Sequence, residues 1–234
     1  MWADAGGAKV GVLNRVLRIR LGAQQAARDG QQPLPVSAAP ADSRSVFLEE
    51  KTFKSRTVLI FGTITDVTAA EAARRLIALD ADSSEPIDII VSSPGGHLES
   101  GDTIHDLIRF VRAPIRMIGS GWVGSAATHV YLAAPRERRF CLPNTRFLIH
   151  QPSGGMSGPA SDVAIQAREI MLARRRIAET IARETGKPID VVLEDIARDH
   201  WLSAEEAIDY GLVHRIIQRR EELAPPGAVF QASP

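Results

Sequence analysis

The chain has 234 residues, with 28 basic and 28 acidic side chains, a balance that does not favour binding to nucleic acids or anionic membranes. Its single cysteine, Cys141, excludes an intramolecular disulfide and favours a reducing compartment, so we expect a cytoplasmic protein in which this thiol packs as a small apolar group. No run of about 18 apolar residues is present, which excludes a membrane-spanning helix and predicts a soluble protein.

The first 45 residues differ in composition from the rest of the chain. They contain an amphipathic, arginine-rich stretch, KVGVLNRVLRIRLGAQQAARD, and then a linker-like stretch, QQPLPVSAAPADS. A solvated leader, a docking helix, a removable propeptide and a transit peptide are all compatible with this pattern, and a transit peptide would direct the protein to an organellar matrix. We predict a leader or flexible extension over 1–45, a folded domain over 46–218 and a C-terminal tail over 219–234.

Strand and helix patterns alternate from Val46 onward. A buried strand is predicted for each of three apolar, β-branched runs, TVLIFGTI, IDIIVSS and IRMIGSGW. A helix is predicted after each of these strands, within DVTAAEAARRLIALDAD, HLESGDTIHDLIRFVR and SAATHVYLAA. Such alternation predicts an α/β fold with a mainly parallel sheet, and its functional groups are expected at the carboxyl ends of the strands.

Two further strands and one long helix complete the predicted domain. The strands form a pair within RRFCLP and RFLIHQP, and the helix extends from about Ala160 to Thr185. Because this helix is too long for a compact core of this size, we expect its apolar stripe to lack a partner within the domain and to form a subunit interface. The stripe consists of Val163, Ala167, Ile170, Ile177 and Ile181.

Ser125 is the first candidate for chemistry. It lies between a predicted strand and a predicted helix in GWVGSAA, where small neighbours leave its hydroxyl accessible. A serine hydroxyl attacks carbonyl groups poorly unless a neighbouring imidazole takes its proton. The simpler interpretation of Ser125 is a helix N-cap, which is a common role for a serine before a helix.

His150 and Asp199 supply the two other groups that such a serine needs. His150 ends an apolar strand in RFLIHQPSGG, and Asp199 lies in ARDHWLSAEEA. An imidazole can accept the serine proton, and a carboxylate can hold the imidazole in the required tautomer. A structural histidine and a solvated aspartate are the simpler interpretations. We predict that Ser125, His150 and Asp199 meet in one cleft.

Glycines flank these candidate residues. The turn SPGG ends a predicted strand at Gly96, and its bare backbone can present an N–H group to an oxyanion. The N–H of Ala126, at a predicted helix start, is the second candidate donor. After His150, we predict that Gly154 and Gly155 bind an extended peptide substrate through their backbone.

The sequence predicts neither a metal nor a nucleotide site. The remaining histidines have no zinc-ligand spacing, and no His-Glu-x-x-His motif occurs. The Gly186-Lys187 pair is followed by proline and lacks the upstream glycine of a phosphate-binding loop. We therefore expect no cofactor, and any requirement for ATP would come from a partner.

Several of these segments together resemble the Clp protease proteolytic subunit, ClpP. The resemblance extends from about Val46 to Ile217 and is carried by SPGG, GWVGSAA, RRFCLPNTRFLIHQPSGG, AREI and RDHWLSAEEAIDYGLV, in this order. It implies an α/β fold of the ClpP/crotonase-like type, with repeated strand-helix units and a long protruding helix for contact between rings.

The same resemblance implies a role for each candidate residue. Ser125 is the nucleophile, His150 the general base and Asp199 the orienting acid of a serine endopeptidase. The backbones of Gly96 and Ala126 form its oxyanion hole.

The resemblance also implies an assembly and partners. Members of the family form two stacked seven-membered rings that enclose a chamber with the active sites inside. We therefore expect a homo-oligomer that degrades peptides and unfolded proteins together with an AAA+ unfoldase of the Clp type.

Three features depart from the family pattern. The strand before SPGG reads IDIIVSS and lacks the tyrosines that usually help to form pockets for partner ATPases. Ala197 stands before Arg198, where an acidic residue of an inter-ring ion pair is usual. The first 45 residues do not resemble the family's short axial loop. We expect unfoldase docking, ring coupling and gating to be the properties that these departures affect.

Two other classes of protein remain as alternatives. An acyl-CoA enzyme of the crotonase type has the same fold and an oxyanion hole, but it does not need Ser125 and His150 together. A non-catalytic ring subunit would assemble without reacting. Covalent labelling of Ser125 by a fluorophosphonate distinguishes the peptidase from both.

Overall fold

The computed structural model describes residues 43–155 and 157–223 of the chain. The chain divides into two units, residues 1–47 and residues 48–234. The predicted leader, 1–45, lies outside the described residues except for the start of helix α1 (Ser43–Lys54). The predicted tail, 219–234, is described only as far as a 3₁₀ turn at Arg220–Leu223.

The fold is α/β, as the sequence predicts. Its strands are β1 (Thr57–Phe61), β2 (Ile87–Ser93), β3 (Ile115–Gly124), β4 (Arg139–Cys141), β5 (Arg146–Ile149), β6 (His200–Leu202) and β7 (Arg215–Ile216). The helices after α1 are α2 (Asp66–Asp82), α3 (Leu98–Phe110), α4 (Ala126–Tyr131), α5 (Ala160–Thr185), α6 (Ile189–Asp195) and α7 (Ala204–Tyr210). Among the described residues, no helix combines the length and the apolar character needed to cross a membrane.

The strands form one sheet that is parallel except at one pair. Strands β1, β2, β3, β4 and β7 are neighbours in this order, and all of their pairings are parallel. Strand β5 pairs with β3 in parallel and with β6 in the antiparallel direction. The predicted pair of RRFCLP and RFLIHQP is therefore wrong in its partners, because β4 and β5 each pair with β3. The long strand β3 can pair with both strands because β4 lies beside its middle and β5 lies beside its end.

Helices α2 and α3 form where the apolar periodicity predicts them. Thr65 accepts a hydrogen bond from the Thr68 N–H and so caps the start of α2. Helix α3 buries Ile104 and Ile108 in the main core. Cys141 is also fully buried there, and burial raises the pKa of its thiol to about 12, so the predicted packing role is confirmed.

Helix α5 has the predicted bounds, but its apolar stripe is divided between two environments. In its C-terminal half, Ile177 and Ile181 are buried in the main hydrophobic core of the domain. The prediction that these two residues lack a partner is therefore wrong. In the N-terminal half, the stripe residues Val163, Ala167 and Ile170 are half-buried, and three apolar side chains outside the stripe, Ile165, Met171 and Leu172, are exposed. Only this half has apolar surface left for another subunit.

The division of α5 gives a stability prediction. We expect Ile181→Ala to lower the free energy of unfolding by about 2–5 kcal/mol, because it leaves a cavity in the core. Ile77→Ala is the matched control, since Ile77 is a helical isoleucine whose side chain is 54% exposed, and its effect should stay within about 0.5 kcal/mol. Urea denaturation at one protein concentration measures both. Equal effects of the two substitutions would contradict the burial of α5.

Candidate active site

Ser125 occupies a strained turn between β3 and α4. Its backbone has φ 55° and ψ −125°, a conformation that residues other than glycine rarely adopt. Ser125 directly precedes helix α4, but its side chain makes no capping hydrogen bond, so the N-cap interpretation does not account for the hydroxyl. The Ser125 N–H donates to the Leu148 carbonyl oxygen at 2.9 Å and ties the turn to the end of β5. The turn thus fixes Ser125 without using its hydroxyl as a cap.

The glycines after β2 make room for this turn. Gly95 has φ 101°, and a Cβ at this position would lie 2.7 Å from the Ser125 Cβ. Gly96 has φ 150°, and a Cβ there would collide with the backbone of Ile64. Only glycine therefore allows the end of β2 to lie directly against Ser125.

The two predicted oxyanion donors lie beside Ser125. Gly96 and Ala126 line the same cavity as the serine. Among the described residues, neither of their N–H groups donates to a backbone carbonyl. For Ala126 this follows from its position as the first residue of α4, where an N–H has no partner within the helix. Their role as an oxyanion hole stays a prediction.

The pairing of β5 with β6 brings His150 and Asp199 together. The two strands are antiparallel, and Ile149 lies opposite His200. His150 follows β5 and Asp199 precedes β6, so they extend the same register, and His150 Nδ1 lies 3.3 Å from Asp199 Oδ1. This contact favours the tautomer that carries its proton on Nδ1 and leaves Nε2 to accept one.

Hydrogen bonds hold the segments that carry these residues. The Gln151 backbone N–H donates to the Ile196 carbonyl oxygen at 2.6 Å. The Gln151 side-chain amide donates to the Ala197 carbonyl oxygen at 3.0 Å. These bonds fix the chain on both sides of the His150–Asp199 contact. The Thr128 hydroxyl donates to the Leu148 carbonyl oxygen at 3.0 Å and joins α4 to β5.

Ser125 and His150 open into one cavity of about 580 Å³. Within the described ranges, the serine hydroxyl and the imidazole form no hydrogen bond to each other. Catalytic hydrogen bonds of this kind are often long without substrate and tighten in the substrate complex. The structure thus brings two of the three predicted residues to one cavity and sets the third against the imidazole.

The predicted substrate glycines lie at the edge of this cavity. Pro152 and Ser153 line it, whereas Gly154 and Gly155 do not and are exposed. A Cβ at Gly154 would lie 3.9 Å from Cδ1 of Ile170, which is a lining residue. Binding of a peptide by this backbone stays a prediction.

A polar group that we call the Asp102 cluster borders the same cavity. It consists of Asp102, His105, His129 and Arg176. Asp102 accepts from Arg176 Nη2 at 2.5 Å and lies 3.0 Å from His129 Nε2, and the His105 and His129 rings are stacked with centroids 4.4 Å apart. The sequence gives no signal of this cluster, because its members come from α3, α4 and α5 and meet only in the folded chain.

Burial keeps His129 neutral. Its pKa is lowered from 6.5 to about 4, chiefly by desolvation; the charges of His105, Arg176 and Arg183 act in the same direction, and that of Asp106 opposes them. The neutral ring therefore presents its Nε2 proton to Asp102. The pKa of Asp102 is raised, chiefly by desolvation and against the influence of Arg176. No group of three or more side chains suited to a metal ion occurs among the described residues.

Comparison with known proteins identifies relatives over most of the chain. The Clp protease family model matches residues 41–220. The ATP-dependent Clp protease proteolytic subunit 2 of Gluconobacter oxydans is 56% identical over 178 residues, which are 75% of this chain and 80% of that protein. The proteolytic subunit 3 of Rhizobium etli is 53% identical over 175 residues, which are 75% of this chain and 90% of that protein. ClpP1 from Listeria monocytogenes has a similar solved structure, with a TM-score of 0.69, 44% identity and coverage of 76% of this chain and 99% of that one.

The buried His129 gives a pH prediction. The unfolded chain binds this proton near pH 6.5 and the folded chain only near pH 4, so folding stability falls as the pH drops through this window. We expect His129 to account for a loss of about 2 kcal/mol between pH 7.5 and pH 5. Urea denaturation of His129→Phe at the two pH values should show a correspondingly smaller loss than the unmodified protein. The control His97→Phe replaces an exposed histidine and should keep the full loss; equal pH dependence of all three proteins would contradict the prediction.

Proposed function

Because the chain belongs to the Clp protease family, we propose that it is the serine endopeptidase subunit of a self-compartmentalised, ATPase-dependent protease. The observation that carries the catalytic assignment is the contact of His150 Nδ1 with Asp199, 3.3 Å apart, beside the cavity that Ser125 also lines. The acyl-CoA alternative loses its basis, because the family match extends over the whole predicted domain.

The first half of the reaction forms an acyl-enzyme. The Ser125 oxygen attacks the peptide carbonyl while His150 Nε2 takes the hydroxyl proton. Asp199, at Nδ1 of the same ring, holds the tautomer and stabilises the imidazolium. The Gly96 and Ala126 N–H groups donate to the oxyanion of the tetrahedral intermediate. The intermediate collapses when the imidazolium gives its proton to the leaving amine, and Ser125 is left as an ester.

The second half of the reaction releases the enzyme. A water molecule gives a proton to His150 Nε2 and attacks the ester carbonyl, and the same N–H groups hold the second oxyanion. Breakdown returns the proton to the Ser125 oxygen and frees the carboxyl product. No metal or cofactor takes part in any of these proton transfers.

Helix α5 supports the assembly part of the proposal. Its N-terminal half carries Ile165, Met171 and Leu172 with more than half of each side chain exposed, and such apolar surface normally marks an interface. We propose that these residues join subunits into stacked heptameric rings in the cytoplasm. A Clp-type AAA+ unfoldase would then supply unfolded substrate to the enclosed active sites.

The triad proposal predicts a large loss of turnover. Ser125→Ala should lower the hydrolysis of short fluorogenic peptides by about 10⁶ and abolish labelling by a fluorophosphonate. Asp199→Asn should cost roughly 10⁴, because the imidazole then takes the wrong tautomer. Circular dichroism and native mass measurement serve as controls for fold and assembly. Unchanged peptide hydrolysis by Ser125→Ala would contradict the triad, and an unlabelled but assembled native protein would identify a non-catalytic ring subunit.

Enclosure of the active sites predicts a difference between substrates. Short peptides should diffuse into the chamber and be cut without nucleotide, whereas a stable folded protein should survive until an unfoldase and ATP are added. Electrophoresis of the folded protein and fluorescence of the peptide follow the two reactions in one sample. Rapid degradation of the folded protein by this chain alone would show that its active sites are open to solvent.

A further inference from the structure

The cavity at Ser125 has an apolar part and a polar part. Ile149, Ile170, Ala173 and Ile177 give it apolar walls, against which the carbon stem of a substrate side chain can pack. His129 and Arg176 of the Asp102 cluster line the same cavity. His129 is four residues after Ser125, which places it about one helical turn, roughly 6 Å, from the serine.

Arg176 offers the polar part its hydrogen-bond donors. Its Nη2 is held by Asp102, and its side chain is 55% exposed although it lies at the cavity. Across the described segments, its Nε and Nη1 donate to no other residue. A guanidinium donates only, so these open groups suit a ligand atom that accepts hydrogen bonds.

Asp102 and His129 hold the Arg176 side chain in position. Asp102 lies between Arg176 and the neutral His129, and His129 is in turn stacked on His105 at an interplanar angle of 12°. A donor whose own partner is held in this way loses little conformational freedom on binding a ligand.

The charges around the cavity favour a neutral acceptor. Arg176 is the single lysine or arginine among the residues that line the cavity, and Asp102 already pairs with it. Glu99 and Glu169 line the cavity as well and would repel a ligand carboxylate. The same carboxylates would attract a ligand ammonium, but at Arg176 it would meet a like charge and offer the guanidinium no acceptor. A neutral amide avoids both repulsions, because its oxygen accepts from Arg176.

We propose that Arg176 determines specificity by binding the amide oxygen of a glutamine as the scissile residue, the residue whose carbonyl Ser125 attacks. Glutamine combines the unbranched apolar stem that the walls accept with the neutral acceptor that Arg176 needs. The inference rests on the proposed peptidase function and deepens it, since it names the substrate side chain.

Four fluorogenic peptides that differ only in the scissile residue test this inference on the assembled full-length protein. Glutamine is compared with methionine, which has a similar length and an apolar end, and with glutamate and lysine, which test the two charges. We expect kcat/KM for glutamine to exceed that for each of the others by about tenfold, the value of one net hydrogen bond.

Variants of neighbouring arginines assign the preference to one side chain. Arg176→Met should bring the glutamine-to-methionine ratio of kcat/KM to about one, and Arg176→Lys should restore part of it. The double variant Asp102→Asn with Arg176→Met removes the carboxylate charge that Arg176 no longer neutralises, and it should show the same ratio as Arg176→Met. The matched control is Arg175→Met, because Arg175 is the preceding residue of α5, is 72% exposed and pairs with Glu179 instead; it should keep the preference.

The outcomes separate this inference from the proposed function. Faster cleavage after methionine than after glutamine by the unmodified protein, or an unchanged ratio in Arg176→Met and the double variant, would overturn the role of Arg176 while leaving the peptidase in place. Cleavage of none of the four peptides would overturn the proposed function and this inference with it.

Discussion

The close approach of the β2 and β3 ends is the contact on which the candidate site depends. Parallel neighbours end at the same edge of a sheet, so the turn after β2 necessarily meets the turn after β3. Because glycine has no Cβ, the backbone at Gly95 can lie directly against the backbone of the β3 turn. The space that a Cβ would need is taken by Ser125, whose own backbone is strained. A methyl group at Gly95 would separate the serine from the N–H of Gly96, and the chemistry proposed for both requires that they face one atom.

A second constraint is the change of partner along β3. The strand pairs with β4 through Met117–Gly119 and with β5 through Trp122–Gly124. This places β5 next to the end of β3, so the histidine after β5 emerges beside the serine after β3. The antiparallel addition of β6 then sets Asp199 opposite His150. A slip of one residue in this register would turn the carboxylate to the other face of the sheet.

The Asp102 cluster shows polar chemistry where α3, α4 and α5 approach each other. Apolar residues of similar size would pack there at less cost, because desolvating a carboxylate and two imidazoles opposes folding. The cluster also fixes three helices relative to each other through directional contacts, and α5 is the helix with both a buried and an exposed half. Arg176 of the cluster thus lines the cavity at Ser125 from the same helix that carries the surface proposed for assembly.

Most of the helices and strands, and the residue types of the site, could be predicted from the sequence. Apolar periodicity defined α2 and α3, the run from Ala160 to Thr185 gave both ends of α5, and small residues marked the turn at Ser125. These signals are local, because a helix or a strand repeats its pattern over a few residues.

The sequence does not show which distant segments meet. The partners of β4 and β5, the burial of Ile177 and Ile181, and the pairing of Asp102 with His129 and Arg176 all depend on contacts between segments far apart in the chain. Apolar residues at helical spacing look alike whether their partner is the same domain or another subunit. A pair of charged or polar residues has no periodicity at all, and its members become neighbours only when the sheet and helices have packed.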